Sequence, residues 1–127
     1  MEKFLQPQNE NEVDFLNLVN KIIDDEYKKI FENTSEMMQK ILQKIVIRTM
    51  WDCVEKNRFG EYYGVPTKKQ TRHDSGMLPA EIIIFAAPFY GRYDGLVLEK
   101  KLKIVLVHEI GHHLGLSEGE LREKNIY

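Results

Sequence analysis

Near its C-terminus the sequence carries a dense group of side chains that can bind metal, HEIGHHLGLSE, at residues 108–118. On an α-helix each residue advances by about 100°, so His108 and His112 lie one turn apart on one face and can share an ion. Glu109 lies on the rim of that face. Two imidazoles with a carboxylate at this spacing are typical of a hydrolytic zinc site, in which the carboxylate serves as general base.

A zinc site of this kind needs a third protein ligand and leaves a fourth position to water, whose pKa falls to about 7. The spacing predicts Glu118 as that ligand, because Gly115 can end the helix in the left-handed conformation and turn the chain back. His73, in a long loop earlier in the chain, is the alternative third ligand. His113 lies off the metal face, where we expect it to pack or to orient a ligand.

The glutamate beside the first histidine favours catalysis, because a purely structural zinc has no use for an unliganded base. The predicted activity is hydrolysis of peptide bonds by zinc-activated water, with Glu109 as general base. The alternative is a non-catalytic zinc-binding module that recognises a peptide or protein partner. A different zinc hydrolase, such as a ribonuclease, is a second alternative, which a basic groove around the metal would support.

The composition is that of an ordinary globular chain, with 127 residues, 43% hydrophobic and 30% charged, and predicts one domain over residues 1–127. The net charge of -2 is too mild to predict a nucleic-acid partner. Cys53 is the only cysteine, so an intramolecular disulfide and a cysteine-rich zinc site are excluded. No stretch resembles a signal peptide or a membrane span, so we predict a cytoplasmic protein with no membrane contact.

The elements that must position the metal site follow from hydrophobic periodicity. Apolar residues at three- and four-residue steps predict an amphipathic first helix, Ser35 should cap a short second one, and Asp94 should cap the last. The β-branched and aromatic runs predict strands. The predicted elements are helices over 13–31, 37–42 and 96–116 and strands over 45–51 and 81–85.

A loop of about twenty residues, 60–79, precedes the strand at 81–85 and is a candidate lid or substrate rim, with a plain connection as the alternative. If the strand at 81–85 forms a sheet edge beside the metal, it can hold an extended substrate by backbone pairing. Several tyrosines can donate to the oxyanion of a tetrahedral intermediate, and the sequence does not choose among them. They are Tyr62, Tyr63, Tyr90 and Tyr93.

Three segments together resemble the short bacterial minimal zincins, a family of zinc metallopeptidase-like proteins of about this length. They are GMLP at 76–79, EIIIF with Pro88 after it, and HEIGHHLGLSE. The resemblance covers residues 64–118. It implies an α+β, minimal zincin-like fold with a small mixed sheet, a backing helix and a C-terminal metal-binding helix, equivalent to the N-terminal half of larger zincins.

The resemblance also implies Zn²⁺ as cofactor, bound by His108, His112 and Glu118, with Glu109 as the base. Members of the family often carry Asp at the position of Glu118. The substrate implied is a peptide or protein. A fold of this size lacks the opposite wall of the cleft, so we expect substrate binding to be weak or to depend on the loop at 60–79, a second copy of the chain or a partner protein.

Overall fold

The computed structural model describes residues 4–55, 58–64, 80–117 and 119–120. Within them the chain forms an α+β fold, as the sequence predicted. The strands are β1 (Phe4–Leu5), β2 (Ile45–Met50), β3 (Asp52–Cys53), β4 (Gly60–Tyr63) and β5 (Ala80–Phe85). The helices are α1 (Glu10–Glu32), α2 (Glu36–Leu42) and α3 (Gly95–His113), with a short 3-10 turn at Ala87–Phe89.

Local capping defines the two N-terminal helices. The side chain of Asn9 accepts a hydrogen bond from the backbone of Glu12 at the start of α1. Ser35 accepts one from the backbone of Met38 at the start of α2, which confirms the predicted cap. Each bond satisfies a backbone N–H that has no partner inside the helix. Both helices therefore begin where short polar side chains precede the apolar pattern.

The main sheet is mixed and has the strand order β2-β5-β4. β5 runs parallel to β2 and antiparallel to β4. The condition under which the strand at 81–85 could hold a substrate, that it forms a sheet edge, is not met, because β5 lies in the centre and both of its edges are paired. The central position agrees with its composition, since Ile82, Ile83 and Ile84 are all buried and a strand buried on both faces reads as a continuous apolar run.

The two faces of the sheet contact different layers. Ile82 and Ile84 point into the main core, together with buried residues of α1 and α3. Ile83 and Phe85 point the other way and pack around Cys53 in a smaller cluster. Alternation along β5 thus joins the helix layer to the small β1-β3 sheet beneath it.

Helix α3 passes along the core and carries the site at its C-terminal end. Its buried leucines recur every four residues, at Leu98, Leu102 and Leu106. The helix ends at His113, and Gly115, two residues further on, has φ +89°, which confirms the predicted left-handed glycine. Asp94 occupies the predicted N-cap position, but its side chain makes no capping hydrogen bond.

The segment predicted as a long loop begins as a strand. Gly60–Tyr63 pairs with β5 as β4, and residues 65–79 lie outside the described part of the chain. None of the helices in the described residues is long and apolar enough to cross a membrane.

Candidate metal site

The last two turns of α3 bring three potential metal donors together. One donor atom each from His108, Glu109 and His112 lies within 4.8 Å of the other two. The two histidines are partly exposed, whereas Glu109 is buried, with 6% of its surface accessible. The helical spacing alone accounts for the histidine pair, since residues four apart lie on the same face. The site therefore has an accessible side, formed by the imidazoles, and an enclosed carboxylate beside it.

The two imidazoles converge through their Nε2 atoms, which are 3.2 Å apart. Their rings are nearly perpendicular, at 82°, with centroids 4.8 Å apart. Zinc–nitrogen distances of about 2.0–2.1 Å at a tetrahedral angle place two ligating nitrogens about 3.3–3.4 Å apart. The observed separation is close to that value, so the histidine pair fits a shared tetrahedral ion.

A backbone carbonyl fixes the proton on His112. Its Nδ1 lies 3.1 Å from the carbonyl oxygen of Leu116. A carbonyl can only accept, so Nδ1 must carry the hydrogen, and Nε2 of the neutral ring then keeps its lone pair. This is the tautomer that a metal ligand needs, and a hydrogen bond of this kind also fixes the orientation of the ring.

The helix terminus places that carbonyl. Leu116 donates its N–H to the carbonyl of Gly111 at 3.0 Å, and Gly115 donates to the carbonyl of His112 at 2.9 Å. These two bonds define a Schellman motif, which requires a left-handed residue at the position of Gly115. The glycine thus has a chemical consequence beyond ending the helix, because the reversed chain brings the Leu116 carbonyl to His112.

Comparison with known proteins agrees with the donor set. A family model of zincin-like metallopeptidases matches residues 31–126, well over half of the chain. This protein belongs to the zincin-like metallopeptidase family. The resemblance drawn from the sequence is thereby confirmed, and membership implies a bound metal, usually zinc. A search of curated protein sequences found no match.

Edge strand β4 packs against the stem of Glu109 in this zincin-like site. A Cβ atom built on Gly60 would lie 3.3 Å from Cγ of Glu109 and 3.1 Å from Cγ1 of Val105. The stem of Glu109 therefore packs directly against the strand backbone. Burial of the stem limits its rotamers and directs the carboxylate toward the histidines.

His113 lies outside the metal-donor group. Its Nδ1 is 2.8 Å from the hydroxyl of Tyr62, and its other ring nitrogen donates to the backbone carbonyl of Ile41. Burial lowers the pKa of His113 and raises that of Tyr62, so both groups are favoured in their neutral forms. The bond joins β4 to the last turn of α3, next to His112. The sequence expectation that His113 packs or orients a neighbour agrees with this geometry.

Two of the four tyrosines that are candidate oxyanion donors make hydrogen bonds to other side chains. The hydroxyl of Tyr62 bonds His113, and that of Tyr63 donates to the carboxylate of Glu61. Glu61 is itself buried on the face of the sheet away from α3. Tyr90 and Tyr93 take part in aromatic packing, against Trp51 and Phe89 respectively. The structure therefore does not single out a tyrosine for the oxyanion.

The predicted third ligand, Glu118, and its alternative, His73, lie outside the described residues. The described residues on either side of position 118 form a capping box: the N–H of Ser117 donates to Glu120, and the N–H of Glu120 donates to the Ser117 hydroxyl, both at 3.2 Å. The carboxylate of Glu120, two residues beyond Glu118, thus caps the backbone at Ser117.

Proposed function

We propose that this member of the zincin-like family is an active zinc metallopeptidase, with His108 and His112 as zinc ligands and Glu109 as general base. The observation that carries the proposal is the 3.2 Å approach of two imidazole nitrogens next to a buried carboxylate. A bound zinc ion supplies Lewis-acid chemistry here, lowering the pKa of water and polarising the substrate carbonyl.

In this proposal each residue of the site has a separate task. His112 holds its ring in one orientation through the Leu116 carbonyl, and His108 meets it one turn earlier on the helix. Glu109 takes a proton from the attacking water and returns it to the amine nitrogen that leaves, as a general base and then a general acid. Its packing against β4 keeps the carboxylate in place for both transfers. Glu118 completes the ligand set in this proposal.

The substrate that suits this arrangement is an extended peptide. β4 pairs with β5 along one edge, and no other strand of the described residues pairs with β4. Its contact with Glu109 makes this strand, rather than the central β5, the one that lies beside the candidate site. An extended chain that adds to a sheet edge gains backbone hydrogen bonds without depending on its side chains. Peptides are therefore favoured over compact substrates.

The alternative function, a non-catalytic module that binds zinc and a partner protein, uses the same two histidines. The two functions differ only in the role of Glu109, since recognition of a partner does not need a general base. Taking a carboxylate out of water costs free energy even where a partner offsets part of the loss. General-base chemistry gives a reason for that burial beside the histidines, whereas recognition gives none. The buried carboxylate beside the histidines therefore favours the enzyme over the recognition module.

Digestion of an unbiased peptide library by the zinc-loaded protein tests the proposal. Wild type should cleave peptides, and Glu109→Gln should not, because the amide cannot accept the proton. Glu99→Gln is the matched control, since Glu99 is an exposed glutamate on the same helix, and it should cleave like wild type. Equal cleavage by Glu109→Gln and wild type would refute the assignment of Glu109 as general base. If zinc-loaded wild type cleaves no peptide, the recognition module is favoured instead.

A further inference from the structure

Edge strand β4 contacts helix α3 at a residue that has no side chain. Gly60 pairs with Ile84, whose side chain lies in the main core, so this position of the strand faces α3. Its three nearest neighbours are Cγ1 of Val105, the carbonyl oxygen of Ile83 and Cγ of Glu109. Two of these neighbours are therefore one helical turn apart on α3, at the end that carries the histidines.

The glycine provides room and not an unusual backbone conformation. A Cβ at this position would lie 3.1 Å from Val105, 3.2 Å from the Ile83 carbonyl and 3.3 Å from Glu109. All three distances are shorter than ordinary van der Waals contact. Gly60 does not share the positive φ of Gly91 and Gly115. Alanine would thus keep its backbone angles but force a neighbour to move.

The neighbours differ in how easily they move. The Ile83 carbonyl belongs to the central strand and is held by the sheet. Val105 is β-branched, so one side-chain rotamer is strongly preferred in a helix. The Cγ atom of Glu109 moves by rotation about the Cα–Cβ bond, and an unbranched side chain in a helix has two common rotamers about that bond. A methyl group on residue 60 would therefore displace Glu109 more readily than the other two.

The strand itself cannot easily retreat from the helix. β4 is paired with β5 along its length, and Tyr62 bonds His113 of α3 at 2.8 Å two residues beyond Gly60. Moving the strand away would stretch or break that buried bond, which is costly when the groups have no water to replace it. Displacement of the Glu109 side chain is again the easier response.

We propose that Gly60 is a positioning residue for Glu109: by lacking a side chain, it lets the strand backbone hold the stem of the base at a fixed distance from the two histidines. The kinetic part of this inference rests on the proposed peptidase function, whereas the structural part does not. Gly60 itself touches neither metal nor substrate in this role. Gly60 affects the rate of hydrolysis only through the position of the Glu109 carboxylate.

The structural part is tested without any activity, by the ¹³C signal of the Glu109 side-chain carboxyl in the zinc-free protein, assigned by its loss in Glu109→Gln. Gly60→Ala should shift this signal. The shift should be smaller when the same change is made in a Val105→Ala background, because that variant removes the Cγ1 atom nearest to the new methyl group. The pair Val105→Ala and Gly60→Ala/Val105→Ala also carries the test if Gly60→Ala alone does not fold.

Gly91→Ala is the matched control. Gly91 has φ +74°, and a methyl group added there would have no neighbour within 4 Å, so alanine strains the backbone without pressing on α3. This control should leave the Glu109 signal in place. An unshifted signal in folded Gly60→Ala would overturn the proposal and leave Gly60 as a packing residue.

The kinetic part uses the zinc-loaded protein. Gly60→Ala should retain its zinc, since neither histidine is among its close neighbours, and should lower kcat by about tenfold with little change in KM. A misplacement of about 1 Å at a reacting group can cost about a hundredfold, and the shift expected here is smaller. An unchanged kcat with a shifted Glu109 signal would overturn the positioning role. If wild type cleaves no peptide, the peptidase proposal fails, while the carboxyl signal still decides whether Gly60 positions Glu109.

Discussion

Replacing Gly115 by alanine should weaken metal binding from a position that does not touch the metal. Gly115 has φ +89°, a conformation that costs a residue with a Cβ about 1–2 kcal/mol. The strain acts on the two Schellman bonds and, through them, on the 3.1 Å bond from His112 to the Leu116 carbonyl. Loss of a hydrogen bond that orients a metal-ligating histidine typically lowers affinity by about 10- to 100-fold.

The assay is a zinc titration against a competing chelator, run beside thermal unfolding of the zinc-free protein. Gly115→Ala should lose about 1–2 kcal/mol of unfolding free energy and about one to two orders of magnitude in zinc affinity. Gly115→Asn should lose less, because asparagine tolerates the left-handed conformation better. Gly91→Ala carries comparable strain at φ +74° and should lose stability but not affinity. Unchanged zinc affinity in Gly115→Ala would refute the role given to the Leu116 carbonyl.

Other variants test neighbouring parts of the account. Tyr62→Phe should lower the unfolding free energy by about 1–3 kcal/mol, since it leaves a buried nitrogen of His113 without its donor. Denaturant unfolding measures this loss. A loss below about 0.5 kcal/mol would contradict the stabilising role of the Tyr62–His113 hydrogen bond. Glu118→Ala should lower zinc affinity at least tenfold, whereas Glu99→Ala, at an exposed glutamate of α3, should not. If instead His73→Ala lowers affinity and Glu118→Ala does not, the third ligand comes from the earlier loop.

The helices and the donor group could be predicted from sequence because they depend on local rules. A three- and four-residue apolar period defines α1, and a hydroxyl before a helical pattern defines the start of α2. The step of four between His108 and His112 places both on one face of any helix. Gly115 could be assigned to the left-handed conformation because few other residues adopt it readily.

Strand order could not be obtained from such local rules. The run Ile82, Ile83 and Ile84 carried a usable signal, since three consecutive apolar residues favour a strand that is buried on both faces. β4 was missed because it is only four residues long and lies in a region rich in glycine and proline. A short strand of this kind is defined by its partner, β5, more than by its own composition.

The contacts that refine the site are likewise non-local. Gly60 contacts Glu109, 49 positions later in the sequence, only because β4 packs on α3, and the residue type of a glycine does not predict such a contact. The Leu116 carbonyl is a backbone group that every residue possesses, so only the folded helix terminus reveals its bond to His112. Predicting either requires the packing of strand on helix, which residue types alone do not specify.

The zinc content of three purified variants, loaded with excess zinc and freed of unbound metal, tests the central claim most directly. The claim is that the histidines bind the ion while the glutamate between them only moves protons. Wild type and Glu109→Gln should each retain one zinc per chain, and His108→Ala should retain almost none while keeping its helical circular dichroism. Loss of zinc from folded Glu109→Gln, or full retention by His108→Ala, would contradict the assignment of these roles.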